Sequence, residues 1–190
     1  MASHQFGADG SYAATLTVTD DDGGSVVESA TLTVAAGAPV VTQVLVSSSL
    51  VAENSSVTVT GSFTDSALDT HSVVIEWGDG TSSPATVDQA ANTFTATHTY
   101  LDDDPTGTAS DVHVVVAKVT DNGALTGTGS TSITVTNVDP VLTGTPLASA
   151  SIDADGLASV SGSFGDVGSL DTHTVTIVWG DGSSSEATVD

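Results

Sequence analysis

The sequence predicts an all-β chain of tandem antiparallel β-sandwich repeats, and three observations carry that expectation. Thr, Ser, Val, Gly and Ala dominate the 190 residues, while the helix builders Leu, Lys, Glu and Arg are scarce; Thr and Val favour strands. Alternating apolar and polar segments are punctuated by Gly, Asp, Pro and Ser, and no segment of useful length has helical period. The chain also repeats itself at about 100 residues, the size of a domain rather than of a solenoid turn.

The repeat is read from matched anchors. Pro39 matches Pro140, "VTD" at Val18 matches "VTD" at Val119, and "GSF" at Gly61 matches "GSF" at Gly162, all offset by 101. "LDTH" at Leu68 and Leu170 and "WGDG" at Trp77 and Trp179 are offset by 102, because "TDSA" has become "GDVGS". "HQF" at His4 answers "HTY" at His98 at an offset of 94, the loop that follows being seven residues shorter in the first copy. The chain therefore reads as the C-terminal half of a repeat over 1–37, a complete repeat over 38–138 and the N-terminal half of another over 139–190.

Within the complete repeat, strands are expected near Val40–Val46, Ser56–Phe63, Ser72–Trp77, Ser83–Val87, Thr93–Tyr100, Val112–Thr120 and Ser130–Thr136. Seven short strands over about 100 residues is the sandwich pattern. The inward set is read as Val57, Val59, Phe63, Val73, Ile75, Trp77, Phe94, Val114, Val116, Ile133 and Val135. That core is thin, and small domains are marginal, which leaves room for a metal or a neighbour to add stability.

Charge narrows the partners. Twenty-four acidic residues against the single Lys118 give a formal charge of -23. Nucleic acid is excluded, since neutralising phosphates takes Lys and Arg, and no stretch is long and apolar enough for membrane insertion. Such a charge makes the compact state repel itself, which divalent cations relieve; acidic, oxygen-rich loops suit Ca2+. Without cysteine there are neither disulfides nor thiolate metal sites. The first ten residues carry no basic or apolar run, so a secretion signal, if the parent protein has one, lies elsewhere.

The anchors "WGDG" (77–80), "HTY" (98–100) and "VTDNG" (119–123) resemble the PKD (polycystic kidney disease) domain, over the complete repeat and both partial ones. The resemblance implies an immunoglobulin-like β-sandwich used as a spacer or adhesion module rather than for catalysis, and the fuller pattern is similar to tandem copies in long bacterial surface and secreted proteins. It gives an extracellular or cell-surface location as the expectation, but no ligand.

Candidate sites lie in the turns. In "WGDG", Trp77 packs in the sandwich and Asp79 caps the turn; a Ca2+ role for Asp79 is the competing reading. "LDDDPTGTASD" gathers Asp102, Asp103, Asp104 and Asp111 in one loop. Four carboxylates there repel unless solvated or bridged, and Ca2+ is the expected bridge. "TDNG" after Val119 is a turn whose spacing is not that of an EF-hand. Asp65 and Asp69 are expected to meet Asp121 at one end of a sandwich, with Asp166 and Asp171 as their counterparts. The junction "TNVDP" adds Asn137 and Asp139, so that Asp102–Asp104, Asn137, Asp139, Asp166 and Asp171 converge at the joint between repeats two and three. The linker "AAGAPV" at the first joint has no carboxylate, and less metal is expected there. The histidines are expected to bond loop backbone rather than hold zinc.

Three functions follow. The first is a structural segment of an extracellular, Ca2+-binding rod or fibre, touching cell-surface or matrix components. The second is a PKD-type binding or adhesion module of a secreted protein or enzyme; the scarcity of aromatics for a glycan platform favours the first. Catalysis has almost no residues to work with: no Cys, no Arg and no G-x-S-x-G elbow. Each partial repeat leaves a hydrophobic face and strand edges open, so the chain is expected to partner itself, head to tail, each copy completing the next. An arbitrary fragment with two frayed ends is the competing reading.

Overall fold

The computed structural model describes residues 2–149 and 151–190, and no described residue is helical. The chain divides into two compact units: one holds 1–49, 57–98 and 113–133, the other 50–56, 99–112 and 134–190.

The first unit opens with a hairpin of β1 (Gly10–Thr19) and β2 (Ser25–Val34), in register from Gly10↔Val34 to Thr19↔Ser25. Its turn is closed by Asp20, whose N–H donates to the Gly24 carbonyl (2.9 Å) and whose Oδ1 accepts the Gly24 N–H (2.6 Å). Gly23 at φ 87° supplies the left-handed step. Then follow β3 (Val40–Val46), β4 (Leu50–Ala52), β5 (Ser55–Thr64), β6 (His71–Glu76), β7 (Ser82–Pro84), β8 (Thr86–Asp88), β9 (Thr93–Tyr100), β10 (Ser110–Asp121) and β11 (Thr126–Thr136).

These strands build the two sheets of a β-sandwich, one in the order β4-β11-β10-β6-β7 and the other β3-β5-β9-β8. In the first unit the buried side chains alternate along each strand: Val57, Val59 and Phe63 on β5, Val73 and Ile75 on β6, Phe94 on β9, Val115, Ala117 and Val119 on β10, Ile133 on β11, with Trp77 just after β6. Burying one such aliphatic or aromatic side chain is worth about 1.5–3 kcal/mol. Across the sandwich Phe63 meets His71 (centroids 4.6 Å apart) and Trp77 stacks on His98 (4.7 Å). Gly127 and Gly129 on β11 permit close approach by the segment at β3: a Cβ on Gly127 would run into the Pro39 carbonyl, and one on Gly129 would sit 2.6 Å from Val41 Cγ1.

Three expectations need correction. The inward phase of β10 is shifted by one residue: Val114 is exposed and Val116 only half-buried, while Val115, Ala117 and Val119 face the core. The exposed Lys118 fixes that phase, because a lone ammonium stays in water. The expected strand Ser83–Val87 is two strands, β7 pairing β6 and β8 pairing β9 in opposite sheets. Pro84 cannot donate to a ladder, and the chain changes sheet at Ala85, whose N–H reaches the Val73 carbonyl (2.8 Å). β4 was not expected; it pairs in parallel with the end of β11, Leu50↔Thr134 to Ala52↔Thr136.

In the second unit, β12 (Val141–Leu142), β13 (Leu147–Ala148), β14 (Val160–Ser161), β15 (Phe164–Gly165), β16 (Val175–Val178) and β17 (Ser184–Ala187) form three two-stranded pairs, β12-β15, β13-β14 and β16-β17.

Candidate metal centre

The sharpest site in the second unit begins at the turn after β4. Glu53 follows Ala52, and its backbone N–H donates to the Thr136 carbonyl (2.9 Å). Asn54, at φ 55°, makes the left-handed step that Asn tolerates. The Glu53 carboxylate thereby points inward, 1% exposed. Its Oε1 accepts the Val138 N–H (2.7 Å), and its Oε2 is buried without a hydrogen-bond partner. Asp102 and Asp103 follow β9, and Asp171 lies between β15 and β16. The Ser169 N–H donates to the Leu101 carbonyl (3.1 Å), tying those two segments together.

One oxygen each from Glu53, Asp102 and Asp171 lies within 4.8 Å of the others. Oxygens about 2.3–2.6 Å from a shared Ca2+ are at most about twice that apart, so the spacing fits one ion. Gly168 forms one wall: a Cβ there would strike the Asp171 carboxylate and come 2.5 Å from Glu53 Oε2. Asp103 is also buried, with Oδ2 unpartnered. Burial raises the pKa of Glu53, and Asp171, Asp102 and Asp103 raise it further against the Val138 hydrogen bond. Burial likewise raises Asp103, helped by Asp102, and raises Asp171, helped by Asp102 and Asp166. Leaving such a charged group buried and unpaired costs more than the about 1–3 kcal/mol of a neutral one. An all-oxygen donor set suits hard cations such as Ca2+ and not thiolate-seeking metals.

In the first unit, Asp65, Asp69 and Asp121 form a second group, one oxygen from each within 4.8 Å. A third, Asp166, Asp171 and His173, shares Asp171 with the first. There Asp166 is committed: Oδ2 faces His173 Nε2 (2.6 Å) and Oδ1 accepts the Val167 N–H (2.7 Å). The His173 contact holds its pKa below the usual range, against a smaller desolvation effect.

Other candidates stand outside these groups. Asp79 caps its turn, Oδ1 accepting the N–H (2.9 Å) and hydroxyl (2.7 Å) of Thr81, while Oδ2 faces His98 Nε2 (2.6 Å). Burial works against it, yet these bonds leave its pKa lowered. Asp111 closes its own loop by accepting the N–H (3.0 Å) and hydroxyl (2.8 Å) of Thr106. Asp104 and Asp139 are exposed, and the Asn137 N–H donates to the Ala109 carbonyl (3.2 Å). The histidine expectation also needs correction: His71, His98 and His173 each face an Asp carboxylate, not loop backbone. His71 opens β6 and His98 lies on β9, while His173 lies in the segment just before β16; each ring is within reach of a turn or loop Asp.

Glu53 escaped the sequence reading. "VAENSS" holds a lone Glu between two strand segments, and nothing in its neighbours marks it as buried. The missing signal was β4, since a parallel three-residue strand carries too little periodicity to detect.

The chain is similar in structure to the PKD domain of an M14-like peptidase from Thermoplasmatales archaeon SCGC AB-540-F20, at 24% identity and a TM-score of 0.43, over 54% of this chain and 99% of that one. No protein-family model matches the chain, and no curated protein is significantly similar to it. The complete repeat is an all-β sandwich of two sheets, and the chain carries the "WGDG", "HTY" and "VTDNG" anchors that resemble the PKD domain.

Proposed function

We propose that this PKD-type module is a structural segment of an extracellular rod or fibre whose repeat joint is held by Ca2+, and not a catalyst. One observation carries the reading. The buried, unpartnered Oε2 of Glu53 and the carboxylates of Asp102 and Asp171 come together from consecutive repeats, 38–138 and 139–190. A cation there neutralises charge that neither repeat can solvate and makes the order of the joint depend on the ion. Calorimetric Ca2+ titration of the chain, reversed by EDTA, tests it. Saturable binding that raises the thermal midpoint supports the reading; no binding at millimolar Ca2+ overturns it.

We further propose that the chain assembles with copies of itself, head to tail. Positions buried in the complete repeat have exposed counterparts in the partial ones. Val119 is fully buried and Val18 56% exposed; Ile133 is 1% exposed and Leu32 45%; Trp77 is fully buried and Trp179 36% exposed. The segment 139–190 carries the counterparts of the first strands of the sandwich and 1–37 those of the last, so a second copy offers each the face it lacks. Light scattering against concentration, with and without Ca2+, is the test; a monomer at every concentration sinks the assembly and leaves the joint site standing.

A further inference from the structure

We infer that the chain holds a second divalent-cation site, formed by Asp65, Asp69 and Asp121 at the end of the sandwich in the first unit. It deepens the proposed function and rests on the same reading, that Ca2+ is the ion these oxygens take. The three carboxylates each place an oxygen within 4.8 Å of the other two. Acidic side chains gather in many turns with only water between them, so the cluster by itself assigns nothing.

The second observation is what surrounds those oxygens. Asp121 is 6% exposed, and its Oδ2 is buried without a hydrogen-bond partner. Asp69 Oδ2 and Ser66 Oγ are buried and unpartnered as well. Three orphaned oxygens thus sit in the Asp65–Asp69 loop and at the end of β10. The rest of the scaffold is satisfied. Asp121 Oδ1 accepts the Leu125 N–H (2.8 Å), and the Asp121 N–H donates to the Leu125 carbonyl (3.1 Å), which locks that turn. The Asp69 N–H donates to the Ser66 carbonyl (3.2 Å), which closes the loop. Asp65 is aimed by His71, whose Nε2 lies 2.9 Å from Oδ2. Gln89 in turn holds that histidine: its Oε1 accepts the His71 backbone N–H (3.0 Å) and lies 3.3 Å from the ring Nδ1, and its Nε2 donates to the His71 backbone carbonyl (2.7 Å). The protein therefore fixes the three carboxylates while leaving oxygens that only a cation or ordered water can use. Hydroxyl and carboxylate oxygens are the donors of a Ca2+ or Mg2+ site.

The site also has the logic of the repeat. Asp65 and Asp69 are the counterparts of Asp166 and Asp171, and His71 of His173.

The experiment is Ca2+ titration by calorimetry on the full chain and three variants, with circular dichroism confirming that each folds. Two ions per chain are expected for the wild type. Asp69→Asn removes one, Glu53→Gln removes the other, and the double variant removes both. Asp69→Asn is chosen over a change at Asp121 because Asp69 is only half-buried and the variant is expected to keep the fold. If Glu53→Gln abolishes binding and Asp69→Asn leaves the stoichiometry unchanged, the second site is overturned while the joint site stands. If neither substitution changes the stoichiometry, both are overturned.

Discussion

Glu53 is the residue on which the proposed joint site turns, and its substitution is expected to have opposite effects with and without metal. Glu53→Gln keeps an oxygen for the Val138 N–H and replaces the orphaned Oε2 with a donor facing the Asp102 and Asp171 carboxylates. The Ca2+-free chain is expected to gain about 1–3 kcal/mol, since a buried unsatisfied charge is replaced by a satisfied amide. The gain on adding Ca2+, about 2.7 kcal/mol at a hundredfold excess over Kd, is expected to disappear at this site. Thermal melts in EDTA and in Ca2+ check both signs together. pH acts on the same carboxylates. Glu53, Asp69, Asp103 and Asp171 have folded pKa values above their ordinary ones, each chiefly through burial. Their contribution to stability is complete below the unfolded pKa, about 4, and is lost as pH rises through the raised folded values. Asp79, Asp166 and Asp181 are lowered, so what they contribute is present above about pH 4 and is lost as pH falls through their folded values. The metal-free chain is thus expected to melt higher in mild acid than at neutrality, with a decline in strong acid. Ca2+ should flatten the neutral side of that curve.

Among the elements, legibility followed the strength of each local signal. β3 and β9 fall on the expected residues, and β5, β6 and β11 differ only at their ends. The run "VHVVVAKV" on β10 is apolar on both faces, so alternation could not set its phase; Lys118 could have. Asp65, Asp69 and Asp121 were readable because flanking turn residues place all three at strand ends. Glu53 was not, because its burial depends on a parallel pairing between residues 84 positions apart. The β1–β2 hairpin carries a further contrast. Val26 and Glu28 stand where the complete repeat has Gly127 and Gly129, the glycines that admit the segment at β3. A copy joining this hairpin has to seat Pro140 and Leu142, the counterparts of Pro39 and Val41, against side chains instead of bare backbone. The double change Val26→Gly and Glu28→Gly costs the hairpin about 0.5–1 kcal/mol per position in chain entropy, yet is expected to lower the concentration at which assembly begins. Sedimentation of the variant beside the wild type reads the result, and an unchanged or raised threshold refutes this packing. Gly168→Ala is a cleaner disruption, because its methyl enters the Glu53 and Asp171 carboxylates; loss of one bound Ca2+ is expected, measured by titration.

For the whole molecule, the charge of -23 and the exposed apolar faces pull in opposite directions. Self-repulsion keeps copies apart, and in the proposed assembly Ca2+ at the carboxylate groups is expected to lower that barrier where the apolar faces would meet. The complete repeat shows what the join should contain. Trp77 is buried, its Nε1 donates to Ser83 Oγ (2.9 Å), His98 stacks on its ring, and that histidine faces Asp79. The counterpart Trp179 already makes the same bond to Ser185 Oγ (2.9 Å) but is 36% exposed, and Asp181 already caps its turn through Ser183. The counterpart of His98 is His4, in the other partial repeat. The proposed head-to-tail assembly is therefore expected to lay His4 of one copy on Trp179 of the next and bring it to Asp181. Tryptophan emission is expected to shift to the blue as Ca2+ drives assembly, because Trp179 leaves water while Trp77 stays where it was. Trp179→Phe should abolish the shift, and His4→Ala should raise the assembly threshold without altering the melting of the complete repeat. Assembly seen by scattering with no change in Trp179 emission would mean that copies associate through another face.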